Sequence, residues 1–330
     1  MFPLLQVLEK EISAMDTTAI FFSIWWIPVA LRILVVFGIA SWVLKKISGM
    51  HSRTRRFFLQ FLICTILAVL FGLLQGNLIM NTAIVPVVII GLFNGFAAFC
   101  QWKALEINLS KTALFTFWDD IIAMLLSLFI LNESGVLNAG IVGGIILSFC
   151  AIIGFAVKDY RKKTHTHIAE GKTERTGRMK FYLYVGIYSV IWGAAVFFMR
   201  YFALHLMPVS KFLPAWYFGS FITATGILLL YKEQGQSGTQ NLKTVKEKTS
   251  FVLWSTAASI VILAGLGITY WSYQLTPLIV VQPLYLVGEM VVPAIIGLFI
   301  FNEKKEYSPK DWILMALGIA GGLVIAMNFK

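Results

Sequence analysis

Charged residues are scarce in this chain, 13% of its 330 residues, about half the share carried by a soluble globular protein. That is too little charge to cover a solvated surface. Cysteine is sparse as well. Cys64, Cys100 and Cys150 have no paired spacing, so neither a disulfide framework nor a thiolate metal site is indicated, and packing is the expected role. Of four histidines, His165 and His167 form the one close pair, in a charged stretch that reads as a solvated loop and not a metal site. The nucleophile elbow GxSxG, the zinc motif HExxH and a Walker-type phosphate loop are all missing. This leaves no enzymatic signature and excludes ATP-driven pumping by the chain alone.

Apolar sequence fills the space instead. Hydrophobic residues make up 58% of the chain, and the mean hydropathy is +0.81. Ten runs are long enough to cross a bilayer: roughly 19–44, 56–77, 84–105, 112–131, 138–157, 181–205, 211–231, 251–274, 279–301 and 311–329. Trp25, Trp26, Trp42 and Trp312 sit near run ends, where interfacial aromatics belong. The expectation is an all-α integral membrane protein, multi-pass, in the plasma (inner) membrane. Residues 1–16 carry Glu9, Lys10, Glu11 and Asp16. They read as an amphipathic interfacial segment and not as a cleaved signal, because the run that follows is too long for a signal core.

Charge placement predicts orientation. Of the 27 Lys and Arg, 21 fall in the odd-numbered loops, while the even loops and termini hold only Lys10, Lys211 and Lys330. The odd loops, including the basic linker 158–180, are therefore expected in the cytoplasm and both termini outside. The net charge of +11 follows from this asymmetry, with the bilayer as partner and no nucleic acid implied. A cysteine introduced at position 165 should resist labelling from outside intact cells; efficient labelling there would reverse the topology.

The chain also repeats itself. Leu128-Phe129-Ile130-Leu131-Asn132-Glu133 returns as Leu298-Phe299-Ile300-Phe301-Asn302-Glu303, 170 positions later. The same offset pairs Gly95 with Gly265 and Asp119 with Glu289. Two copies of one unit are indicated. Five spans per unit is an odd number, so the second copy must lie upside down relative to the first. The reading is 17–157 as the first five-helix repeat and 181–330 as the second.

Each half resembles the EamA-type module of the drug/metabolite transporter superfamily. The first copy reads Ala104-Leu105, Leu109-Ser110-Lys111-Thr112, Asn132-Glu133, Gly143-Gly144 and Gly154. The second reads Gln274-Leu275-Thr276-Pro277, Glu303, Gly318 and Gly321-Gly322. Pro28 and Arg32 look like what such proteins carry in their second helix. The resemblance implies a drug/metabolite transporter-like fold of ten helices in two inverted repeats. It implies a secondary transporter of a small organic solute, amino-acid-like or otherwise, without a cofactor, acting as a monomer or homodimer.

Candidate site residues are the polar groups inside the runs. A charge at bilayer depth costs at least about 2.5–3.5 kcal/mol, so it normally faces a cavity or a partner. Asp119 and Glu289 fall near the middle of their runs, roughly 12–16 Å in, at matching positions of the two copies. Asp120 points about 100° away from Asp119. These acids and Arg32 are the candidate solute- or proton-binding groups. Trp118, Tyr285, Trp102 and Gln282 are the expected cavity wall, with Trp271, Tyr273, Gln101 and Gln274 beside them. A structural alternative is that the acids only neutralise Arg32 and Arg200. Pro283 and Pro293 flank Glu289 and make the ninth run the candidate moving element. A membrane-embedded enzyme using Asp119-Asp120, and a channel or non-transporting scaffold, are the other function classes.

Overall fold

A computed structural model describes residues 24–40, 42–43, 53–76, 82–107, 117–164, 174–231, 245–299 and 309–329. The N-terminal segment 1–16, His165, His167 and Glu303 lie outside the described residues. Ten helices are present among those described: α1 (Trp26–Arg32, continuing as a π-helix over Ile33–Ala40), α2 (Arg53–Leu74), α3 (Val85–Ile107), α4 (Phe117–Ile130), α5 (Ala139–Thr164), α6 (Glu174–Leu204), α7 (Val209–Leu230), α8 (Val245–Leu275), α9 (Leu278–Phe299) and α10 (Pro309–Asn328). They answer one for one to the ten apolar runs. The β-branched stretch that opens α9 would favour a strand in water. In hydrocarbon, only a helix satisfies its backbone within one segment.

Six helices are long and apolar enough to span a bilayer, namely α2, α3, α6, α7, α8 and α10, and shorter apolar stretches lie in α1, α5 and α9. Large apolar side chains such as Leu34, Leu73, Phe129, Leu183 and Leu230 stand more than half exposed around the outside, a belt that water would not tolerate. This is a multi-pass membrane protein. The polar linkers are shorter than expected. α5 continues to Thr164, α6 begins at Glu174 and α8 begins at Val245, because Lys, Arg and Glu extend a helix readily once it leaves the apolar zone.

Glycine sets the closest crossings. A Cβ on Gly144 of α5 would lie 2.7 Å from the Gly321 carbonyl oxygen of α10, and one on Gly321 would lie 2.8 Å from that of Gly144. With Gly140 against Asn328 and Gly154 against Leu314, the two helices run antiparallel, backbone on backbone. α3 and α7 lie parallel and also close, Gly91 against Trp216 and Gly95 against Thr223. Hydroxyls stitch that seam: Ser220 Oγ donates to the Gly91 carbonyl at 2.9 Å and Thr223 Oγ1 to the Leu92 carbonyl at 2.8 Å. α2 crosses α7, with Thr65 Oγ1 donating to the Tyr217 carbonyl at 3.0 Å. α6 packs on α3 and α4, α1 packs on α8 and α9, and α4 meets α9.

Candidate functional site

Seven helices, α1–α3 and α6–α9, leave between them a cavity of about 330 Å³. Arg32 enters it from α1, where the helix widens to a π-helix, and Val36 and Ala40 continue the same lining face. Such π-turns concentrate at functional sites. The Arg32 guanidinium carbon lies 3.5 Å from the centroid of the Tyr285 ring and 5.5 Å from that of Phe37. Its Nε and Nη1 are buried without a hydrogen-bond partner. Glu289 of α9 opens into the same space. Gly288 next to it lets α9 close on α1, since a Cβ there would stand 2.8 Å from Ile33. Cavity acid and cavity base thus come from two helices in tight contact.

Asp119 is placed differently. Its side chain is buried, and Oδ2 accepts a hydrogen bond from the Tyr188 hydroxyl at 3.2 Å, while Oδ1 has no partner. Tyr188 lines the cavity and Asp119 stands behind it. Gly193 of α6 lets α4 approach, a Cβ there falling 2.6 Å from the Asp119 carbonyl oxygen. Asp120 is half-buried beside it. Asp119 and Glu289, 170 positions apart, therefore have unequal environments, one acid buried and one open.

Part of the expected wall lies elsewhere. Trp118 is 47% exposed and turned outward, its ring against Phe117. Its place along the run groups it with the cavity residues, but that place does not determine which side of the helix it occupies. Trp271 and Gln274 are also exposed. Trp102 is buried away from the cavity, among Phe57, Phe99 and Tyr231, with Lys103 Nζ 4.7 Å from its ring. Tyr285 and Gln282 support the site without lining it: the Tyr285 hydroxyl pairs with Ser272 Oγ at 2.5 Å, and Gln282 Oε1 accepts from Tyr273 at 3.4 Å. Gln101 and Tyr273 do line the cavity. The remaining wall was not foreseen: Trp192 and Trp216, Tyr188 and Tyr217, and the amides Gln60 and Asn94. α9 stays helical through Pro283 and Pro293.

The second arginine has its own partner. Arg200 Nε lies 2.7 Å from Glu133 Oε1, both side chains buried, and its Nη1 donates to the Tyr273 carbonyl. Glu133 Oε2 accepts from Ser127 Oγ, and from the Leu278 backbone N–H at 2.9 Å. One carboxylate thus ties the end of α4 to α6 and to the first turn of α9, beside the short connections α4–α5, α6–α7 and α8–α9. The repeated Asn132-Glu133 was the available sequence signal for it. Asn132 takes the left-handed conformation, φ 55°, which asparagine tolerates better than most residues, and so turns Glu133 inward. Among the described residues, no group of three or more His, Cys, Asp or Glu side chains could hold a metal ion.

No protein family and no curated protein matches this sequence. A solved protein structure superposes on 94% of this chain and 98% of its own at a TM-score of 0.63, with 14% identity. At that identity the likeness shows a shared fold.

Proposed function

We propose that this protein is a secondary transporter that carries a small organic solute across the plasma membrane by alternating access between two inverted five-helix repeats. The observation that carries the reading is a polar, aromatic-walled cavity between the halves, holding an open acid and an under-partnered arginine inside the apolar zone. The helix contacts support the repeat. Exchanging each helix for the one five places on turns α3–α7 into α2–α8, α3–α6 into α1–α8, and α4–α6 into α1–α9, and all of these pairs pack together. The self-matched pair α5–α10 is antiparallel, as an axis in the membrane plane requires. The charge bias of the loops puts the basic connections in the cytoplasm.

In this mechanism Glu289 exchanges a proton or the solute from the open cavity, and Asp119, held by Tyr188, responds from behind the wall. Glu289→Gln should abolish uptake driven by a pH gradient in proteoliposomes while equal-gradient exchange continues, and Asp119→Asn should weaken transport. If both variants keep the parental response to the gradient, the acids are structural and coupling through them is wrong.

A further inference from the structure

We propose that the solute is a cation, a single ammonium group on a flat apolar body. The proposal takes its purpose from the transport reading, and its content comes from charge and shape. Three ionisable side chains bear on the cavity: Arg32 and Glu289 on its wall, and Asp119 behind Tyr188. Two are acids and one is a base. The sequence suggests a balanced set, two acids against two arginines, but Glu133 takes Arg200 out of that count. Lys103 does not restore it. Its ammonium is held 4.3 Å from the Tyr231 ring centroid and donates to the Tyr231 hydroxyl at 2.5 Å, off the cavity wall. One face of the Arg32 guanidinium is already taken by the Tyr285 ring at 3.5 Å. With its carboxylates ionised the site is short of positive charge, and at low dielectric that deficit selects a cation over an anion.

The wall agrees with the charge. Tyr188 and Trp192 lie nearly parallel, 6.5 Å apart and 12° from coplanar, and Trp216 meets Trp192 nearly edge-on at 76°. Ring faces attract an ammonium and repel a carboxylate. Gln60, Asn94 and Gln101 add neutral hydrogen-bonding groups that demand no further charge. A volume near 330 Å³ is at the lower end of ligand pockets and suits a solute of about one ring.

The test is binding of a matched series to the purified full-length protein in detergent, at a pH where amine and acid are both ionised. The probes are 2-phenylethylamine, 2-phenylethanol, 3-phenylpropanoate and zwitterionic phenylalanine, followed by calorimetry. The amine should bind roughly tenfold tighter than any of the others, the scale of a desolvated cation–π contact with a carboxylate nearby. Arg32→Gln should tighten amine binding further, since it removes the opposing charge. The proposal falls if the propanoate or the zwitterion binds as well as the amine, if Arg32→Gln weakens the amine, or if none of the four binds below about 10 mM. The comparison on unmodified protein stands even if the variant does not fold. Counterflow in proteoliposomes separates the two readings. An amine that binds but is never moved sinks the transport reading alone. Movement of an anion or a neutral solute, with no amine binding, sinks the cation alone.

Discussion

Glu133→Ala should leave a protein about 3–5 kcal/mol less stable than the parent, the scale of a buried ion pair that loses one partner. Both side chains of the Glu133–Arg200 pair are under 8% exposed, so Arg200 would remain charged with little water to receive it. The change also strips the acceptor from Leu278 N–H and from Ser127 Oγ, and the first turn of α9 loses a carboxylate that complements its dipole. Glu133→Gln keeps an oxygen for the Leu278 N–H and should lose less. Glu133→Ala combined with Arg200→Met should recover much of the loss, because removing both charges removes the uncompensated one. The readout is the thermal midpoint in detergent, followed by size-exclusion fluorescence. A Glu133→Ala protein that melts with the parent would show that the pair carries no weight.

Gly219→Leu should fail to give a monodisperse protein. A Cβ at Gly219 overlaps the Val88 carbonyl oxygen and stands 2.7 Å from the Leu92 nitrogen. Both are backbone atoms of α3, which cannot rotate aside as a side chain can. α3 and α7 would have to separate, breaking the Ser220 and Thr223 hydrogen bonds across the seam and the cavity wall behind them. Overpacking costs about 1–3 kcal/mol even where side chains can adjust, and more where they cannot. Gly226→Ala is the control on the same helix, because nothing lies within 4 Å of its Cβ position. Equal midpoints for Gly219→Leu and Gly226→Ala would show that the close approach is not required.

Sequence reading served the helices far better than the site, and the difference is geometric. Length and hydropathy determine where a span begins and ends: the run 211–231 became Val209–Leu230, and 279–301 became Leu278–Phe299. Arg32 and Glu289, expected near the middle of their runs, both line the cavity. Rotation about the helix axis was not legible. A helix that is apolar on every side carries almost no periodic signal to say which face meets protein and which meets lipid. Trp118 and Trp271 therefore looked as suitable as Trp192 and Trp216, yet the first two face outward and the others line the cavity. Glycine held some of the missing information. Gly91, Gly193, Gly219 and Gly288 each mark the face where another helix arrives, but a sequence cannot name the arriving helix. Glu133 repeats in the sequence at Glu303, and that repetition drew attention to it without showing that Arg200 would be its partner.

On the proposed inverted repeat, three of the packing seams, α5–α10, α2–α7 and α4–α9, would join a helix to its own counterpart in the other half. In an assembly of two identical chains, a seam of that kind is an isologous contact, the same patch meeting itself across a two-fold axis. On that proposal the crossing of Gly144 with Gly321 would be a subunit interface that has become internal. Fusion of two such halves would raise their effective concentration for each other, while the contacts would remain those that two separate chains form. It also frees each half to diverge. A true homodimer must carry the same acid twice in the same surroundings, whereas this chain holds Asp119 shut behind a tyrosine and Glu289 open.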